Sequence, residues 1–234
     1  LLPALSKLLA RLPVQDDGEA LRQSLFHSGT HFNPDLLTSE AERRARLEGV
    51  HAALDRAESL VFLDTESTGG RNGRLIEVAL VETDVEQNVT GGLHFRCNPH
   101  RRSLAGARRV HGIQDCELEH CPEFAARADE LLEAVRGKTV VIHDRTMDLL
   151  WLNRELQAAR PGAPRFEDRC TVVDSFVLAR AIPSERRRNG LDALLEWYGL
   201  GARGGHHDAY GDAALLSRVF FELWWDLDEW LYGE

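Results

Sequence analysis

The apolar run Val61-Phe62-Leu63 leads into Asp64-Thr65-Glu66, and alternation along an extended chain puts the Asp64 and Glu66 carboxylates on one side. Two carboxylates held together repel unless a cation offsets them. A hard divalent ion such as Mg²⁺, which favours oxygen ligands, would do so. Gly69 and Gly70, which follow, permit a tight return of the chain or close approach of a ligand. Taken alone, Asp-x-Glu after a strand also reads as a turn in which Asp and Ser satisfy local backbone donors. Asp148 is a second acidic candidate. It interrupts the apolar stretch Met147 to Leu152, one helical turn after Asp144, whose own carboxylate suits a helix cap. A salt bridge or an exposed face is the alternative for Asp148. Asp212 is the third, five positions beyond His207 in a loop that also carries His206. Histidine can take a proton from water near neutral pH while an aspartate holds metal, and residue chemistry alone leaves both histidines eligible. Together, Asp64, Glu66, Asp148 and Asp212 with a histidine can bind two divalent ions roughly 3.5 to 4 Å apart, an arrangement suited to attack of water on phosphorus.

These side chains need a scaffold, and the chain has the means to build one. Its 234 residues are 43% hydrophobic, enough for one large domain with a sizeable core or one domain with an arm. Residues 59–63, RLIEVALVETD and VTGGLHFRCNP suit a three-strand meander, with the first strand ending at Asp64. Residues 103–109 suggest a short helix, FAARADELLEAVRG a longer one, and KTVVIH a strand leading into the helix TMDLLWLNRELQAA. A strand at residues 170–174 and a helix at residues 175–181 come next. Asn189 is placed to cap LDALLEWYG, and Asp208 to cap AYGDAALLSRVFFELWW. The expected architecture is a mixed sheet flanked by helices, preceded by a helical arm over residues 1–58 and followed by an acidic, aromatic tail over residues 223–234.

The formal charge of -10 disfavours bulk attraction to nucleic acid or anionic lipid, so contacts with phosphate must be local. Arg101, Arg102, Arg108 and Arg109, and further on Arg186, Arg187 and Arg188, form short basic groups that would meet a nucleic-acid backbone or serve as solvated faces. The four cysteines show no CxxC pair, and no stretch approaches the length of a membrane helix; a reduced, cytoplasmic protein with no membrane contact is expected. The missing initiator Met suggests an excerpt.

The three acidic segments, in this order, resemble the motifs of the DEDDh exonucleases, among them the proofreading subunits of bacterial replicases and their stand-alone relatives. VFLDTESTGG is similar to the first motif, VIHDRTMDLLWL to the second and HDAYGDA to the third, and the likeness runs through VHGI at residues 110–113 and NGLDALLEWYG at residues 189–199. The resemblance implies an α/β, RNase H-like fold over residues 59–222. It makes Asp64, Glu66, Asp148 and Asp212 the metal ligands for two Mg²⁺ or Mn²⁺ ions, and His207 the general base. It implies 3'-to-5' release of nucleoside 5'-monophosphates from a nucleic-acid 3' end, with single-stranded DNA favoured over RNA. Thr65, Thr68, Gly69, Leu75 and His143 are the weaker candidates for substrate contact. An RNA-trimming exoribonuclease is the alternative, as is a catalytically weak nucleic-acid-binding or scaffold protein on the same fold. Asp144 stands where such proteins often carry Asn, and Met147 where an aromatic residue is common. Only about 20 residues follow Asp212, too few for the polymerase-binding extension of a replicative proofreading subunit. A stand-alone or differently partnered nuclease is therefore expected, with a protein partner or a second copy engaging the arm or the tail.

Overall fold

A computed structural model describes residues 39–233, so the arm expected over residues 1–58 lies mostly outside the described residues. The described elements, in chain order, begin with helix α1 (Glu40–Leu54) and the strands β1 (Ser59–Ser67), β2 (Leu75–Asp84) and β3 (Val89–Arg96). Helices α2 (Ala105–His111), α3 (Asp115–Leu118) and α4 (Ala128–Ala134) lead to β4 (Thr139–Ile142) and α5 (Arg145–Ala159). Strand β5 (Thr171–Asp174) is followed by α6 (Ser175–Ala181), α7 (Leu191–Trp197) and α8 (Ala209–Tyr232). The segment expected as one helix at residues 124–137 divides into a 3-10 turn, Phe124–Ala126, and α4.

The five strands form one sheet in the order β3-β2-β1-β4-β5. Strands β1, β2 and β3 pair antiparallel, whereas β4 and β5 join in parallel, which requires the helical crossovers α5 and α2 to α4. Because strand side chains alternate, the sheet supports two separate cores. Leu60, Phe62, Val81, Val141 and Val173 face α1, α6, α7 and α8, while Val61, Leu63, Leu80, Val140 and Val172 face α4 and α5. Phe62 meets Phe220 of α8 edge-on, with ring centroids 5.7 Å apart. Helix α1 is anchored to α8 through Leu47, Val50 and Leu54 and through His51, whose Nε2 lies 2.9 Å from Asp228 Oδ1. Residues 223–232, expected as an acidic aromatic tail, are the last turns of α8. Trp225 on those turns is 71% exposed, so part of their aromatic surface is open to solvent. Among the described residues no helix is long and apolar enough to cross a membrane.

Candidate active site

Strand β1 runs past its partner β4. The two pair only over Leu60 to Leu63, whereas β1 continues beside β2 as far as Ser67. The strand therefore ends three residues beyond the Asp64 expected from the apolar run, because β2 keeps pairing where hydrophobicity stops. Asp64 and Glu66 occupy this overhang, on the same face as Leu60 and Phe62, with one flank free of any strand. The first turn of α5 fills that flank. Asp148 is buried there and accepts a hydrogen bond from Thr65 Oγ1 at 2.6 Å, Thr65 lying on the other face of β1.

The helix starts that carry Asp148 and Asp212 are held by other acidic side chains. Asp144 precedes α5 with φ +58 and makes no side-chain cap bond, contrary to its expected role. The amides of Asp144 and Arg145 point instead to Asp174 Oδ1 and Oδ2, each at 3.3 Å, and Asp174 also caps α6 by accepting from Phe176 and Val177. One carboxylate at the end of β5 thus serves two helix N-termini. Helix α8 is capped by Asp208, as expected, through the Gly211 amide at 2.7 Å. Its first amide, Ala209, donates to Glu77 Oε2 at 3.0 Å. Glu77 sits opposite Glu66 on β2 and is 1% exposed, so it fixes α8, and with it Asp212, against the sheet. At α7 Gly190, not Asn189, is the cap.

Glu66, His207 and Asp212 bring potential ligand atoms within 4.8 Å of one another, the one such group among the described residues. Asp64 and Asp148 lie outside this tightest group but are joined to it electrostatically. Burial, then the charges of Asp148, Glu66 and Asp212, raise the Asp64 carboxyl well above the usual carboxylate range. Burial first, and then Asp212, Glu77 and Asp148, push Glu66 up to about 8. Burial pushes Asp148 up to about 7, against the lowering effect of the Thr65 hydroxyl. Asp212 is also raised by burial, with Arg203 and His207 opposing. Four acids whose ionised forms are this disfavoured suit a site that receives positive charge. Their oxygens, with one imidazole, form a donor set fit for a hard divalent cation.

The loop carrying His207 is clasped by α2. The His207 amide donates to Val110 O at 2.9 Å, and the His206 ring lies against Gly112, where a Cβ would come within 2.8 Å of His206 Cγ. His206 thus lies exposed against Gly112 while His207 reaches the carboxylates, its Nδ1 3.6 Å from Asp212 Oδ2. Residue chemistry could not separate the two; their packing does. Arg203, which sequence reasoning missed, is also in the site. Its Nη1 donates to Asp212 Oδ2 at 3.0 Å and lies 2.7 Å from His207 Nδ1. The available signal was an arginine flanked by glycines four residues before His207.

The weaker candidates fall into different places. Thr65 supports Asp148, and Thr68 is fully buried, its Oγ1 accepting from the Arg74 amide at 3.0 Å to close the loop after β1. Gly69 has φ +89 and lies so close to Ala107 that a Cβ would meet it at 2.9 Å. Leu75 is 1% exposed in the α5-facing core and offers a substrate no side-chain surface, which corrects its expected contact with a terminal sugar. Its amide and the Arg74 guanidinium are held by Glu155, another buried acid the sequence did not single out. His143 Nδ1 lies 2.9 Å from Ser175 Oγ, and burial, with Arg203 adding, pushes the ring down to about 4. Of the basic groups, Arg186 is a packing residue, its guanidinium bonded to Tyr198 and Asp226 beneath α8. Arg101 donates to Asn72 O and Arg108 pairs with Asp115, while Arg102, Arg109, Arg187 and Arg188 lie in surface segments.

Fold and site together define an RNase H-like α/β domain with a candidate metal-binding cluster of the exonuclease type. Residues 61–220 match the family described as Exonuclease, of the RNase T kind. DNA polymerase III subunit epsilon from Rickettsia felis is 34% identical over 168 residues, which cover 70% of this chain and 72% of that protein. Exonuclease I from E. coli, solved with a dT13 oligonucleotide, superposes with a TM-score of 0.55 at 19% identity over 74% of this chain. The chain spans only 41% of that larger structure. A 3'-exonuclease solved in a study of 3'-end recognition of a histone mRNA stem-loop gives a TM-score of 0.60 at 14% identity, covering 73% of this chain and 83% of that one. The chain belongs to the DEDDh-type exonuclease family.

Proposed function

We propose that this protein is a metal-dependent 3'-to-5' exonuclease that releases nucleoside 5'-monophosphates, with single-stranded DNA its preferred substrate. The observation that carries this reading is the convergence of Glu66, Asp212 and His207 at the overhanging end of β1, with Asp64 and Asp148 coupled to them. Asp64, Glu66, Asp148 and Asp212 would hold two Mg²⁺ or Mn²⁺ ions, which when bound supply Lewis-acid activation of water and stabilisation of charge on the phosphoryl oxygens. His207 is 37% exposed at the rim, where it can take a proton from an attacking water and pass it to solvent. Thr65 orients Asp148 through its hydroxyl. The loop at residues 68–74, held by Thr68 and Glu155, offers backbone groups beside Glu66 for the terminal sugar. Residues 59–222 carry the nuclease, with α1 and the last turns of α8 packed on it, and a protein partner or a second copy would engage residues 1–58 or 223–234 from outside, for example at the exposed Trp225.

The DNA preference rests on sequence similarity to the epsilon subunit, because the fold is shared with exonucleases studied on DNA and on RNA. Single-stranded DNA and RNA oligomers, labelled at either end and incubated with Mg²⁺, Mn²⁺ or EDTA, test the proposal. A ladder shortening from the 3' end, mononucleotide products and loss in EDTA are expected. Absence of any metal-dependent product from either nucleic acid overturns the enzyme reading, and faster RNA turnover overturns the substrate preference. Light scattering of the full chain and of a Trp225→Ser variant, which alters an exposed side chain of α8 and leaves its buried face intact, tests self-association.

A further inference from the structure

Arg203 is the cation shared by the acidic cluster. It is the charge that lowers Asp64 and Glu66 against their carboxylate neighbours, and it lowers Asp212 as well. Its side chain is only 15% exposed. Nη1 lies within 3.0 Å of Asp212 Oδ2 and of both His207 ring nitrogens, so one end of the guanidinium touches two of the three residues whose ligand atoms converge. The other end faces away from the sheet, where Nε lies 2.9 Å from Asp192 Oδ1, an ion pair without hydrogen-bond alignment. Asp192 belongs to the first turn of α7 and is 71% exposed, so it lies outside the buried cluster although its charge reaches Asp212. Arg203 therefore spans a buried acceptor and a solvent-facing one.

Its surroundings allow it to release the buried partner while keeping the exposed one. Gly201, Gly204 and Gly205 flank it, with Gly201 at φ +96, and glycines at such positions restrict the backbone little. A cavity of about 720 Å³, lined by Asp192, residues 201–205 and His207, opens beside the guanidinium on the Asp192 side. A divalent ion held by Asp212 and a guanidinium bonded to the same carboxylate would repel at contact distance, so the two compete for Asp212.

We propose that Arg203 is a built-in counter-cation of the metal site: it holds Asp212 and His207 together, competes with divalent cations for Asp212, and yields towards Asp192 when one binds. This rests on the metal-binding reading above and adds a positioning residue to it. Arg203 neutralises carboxylates that would otherwise repel, keeps His207 beside Asp212, and sets the concentration at which metal loads.

Calorimetric titration of the full chain with Mn²⁺ in the absence of nucleic acid tests the idea without reference to turnover, and melting temperatures in EDTA and in Mn²⁺ accompany it. Arg203→Met keeps the aliphatic stem and removes the charge. It should bind Mn²⁺ about tenfold more tightly, or about 1.4 kcal/mol. Its metal-free form should melt lower than wild type and gain more from Mn²⁺. Asp192→Asn removes the alternative partner and should weaken Mn²⁺ binding several-fold. Arg203→Lys, which retains charge without the fork, should fall between wild type and Arg203→Met and provides a second variant if the methionine form does not fold. Unchanged or weaker Mn²⁺ binding by Arg203→Met and Arg203→Lys overturns the proposal, as does tighter binding by Asp192→Asn. A wild-type chain that binds Mn²⁺ but cleaves no oligomer removes the nuclease reading and leaves the Arg203 comparison intact. A chain that binds no Mn²⁺ in any form overturns both.

Discussion

Replacing Glu66 by Gln should make the metal-free protein more stable at alkaline pH while abolishing its response to metal. Glu66 is buried beside Asp212, Glu77 and Asp148, and its carboxyl is pushed from 4.5 up to about 8. Between those values the folded chain keeps a proton that the unfolded chain has lost, so stability falls as pH rises through the window and the full penalty is present above about 8. A displacement of that size corresponds to about 5 kcal/mol against the ionised form, an upper limit reduced by relaxation of the site and entry of water. At least about 2 kcal/mol should survive, or roughly 5 °C in Tm for a chain of this length. Thermal denaturation followed by circular dichroism in EDTA reads this directly. At pH 5 wild type and Glu66→Gln should melt together, because the glutamic acid is protonated and close to isosteric with the amide. At pH 8 the variant should melt higher. Adding Mn²⁺ at pH 8 should raise wild type and leave the variant nearly unmoved. Equal melting of the two proteins at pH 8, or a variant destabilised by the same amount at both pH values, would refute the view that Glu66 is held against its charge to await a cation.

Three further outcomes follow from contacts around the cluster. His207→Ala should reduce the single-turnover rate by roughly 10²- to 10⁴-fold with the fold intact, as expected for loss of a general base; an unchanged rate would remove that assignment. Thr65→Val deletes the hydroxyl that donates to Asp148 at 2.6 Å, and should lower kcat about tenfold, or about 1.4 kcal/mol, and Tm by a few degrees because a buried acceptor loses its donor; an unchanged kcat would remove the orienting role. Gly112→Ala places a Cβ 2.8 Å from His206 Cγ at φ +72, so it should cost about 1 to 2 kcal/mol in urea unfolding and slow turnover by displacing the His207 loop. Adding His206→Ala to it should recover part of the lost rate, and failure of that rescue would show that His206 does not transmit the strain.

Much of the scaffold is legible because hydrophobic period and element type coincide. The meander of β1 to β3, the β4-to-α5 unit and the Asp208 cap of α8 all follow from local patterns that tertiary contacts reinforce. Residue chemistry makes Asp64, Glu66, Asp148 and Asp212 candidates, and the order and spacing of the three motifs that resemble the DEDDh exonucleases select them as a set. The supports of the site are harder to read, since they act across long separations in sequence. Glu77 reaches Ala209, Asp174 reaches back to Arg145 and Glu155 reaches Leu75; each looks locally like an ordinary acid in a strand or helix. Asp144 suits a cap by its local sequence, but its backbone is left-handed at φ +58, and the long-range carboxylate of Asp174 takes its amide and that of Arg145 from the neighbouring strand. The burial of Leu75 is equally hidden, because a residue at the start of β2 shows in sequence neither the face it takes nor the helix that covers it.

The net charge of -10 first suggests a protein ill suited to phosphate. Beneath the many surface acids, the structure sorts the buried ones into two populations with opposite consequences. Glu77, Glu155 and Asp174 are buried and bonded to arginines or backbone amides; they hold helix starts and a loop in place, and burial of their charge is repaid by those donors. Asp64, Glu66, Asp148 and Asp212 share far fewer donors, principally Thr65 and Arg203. A fold can hold four such acids only if stability comes from elsewhere, and here it comes from the two apolar cores on either face of the sheet, with Phe62 and Phe220 packed directly behind the Asp64 and Glu66 end of β1. Rigid packing at one end of the strand and unmet charge at the other suit the overhang of β1 to a bound cation. The negative charge of the sequence is therefore no argument against a phosphate substrate, because the buried acids with the fewest donors lie around the group that could hold a metal ion.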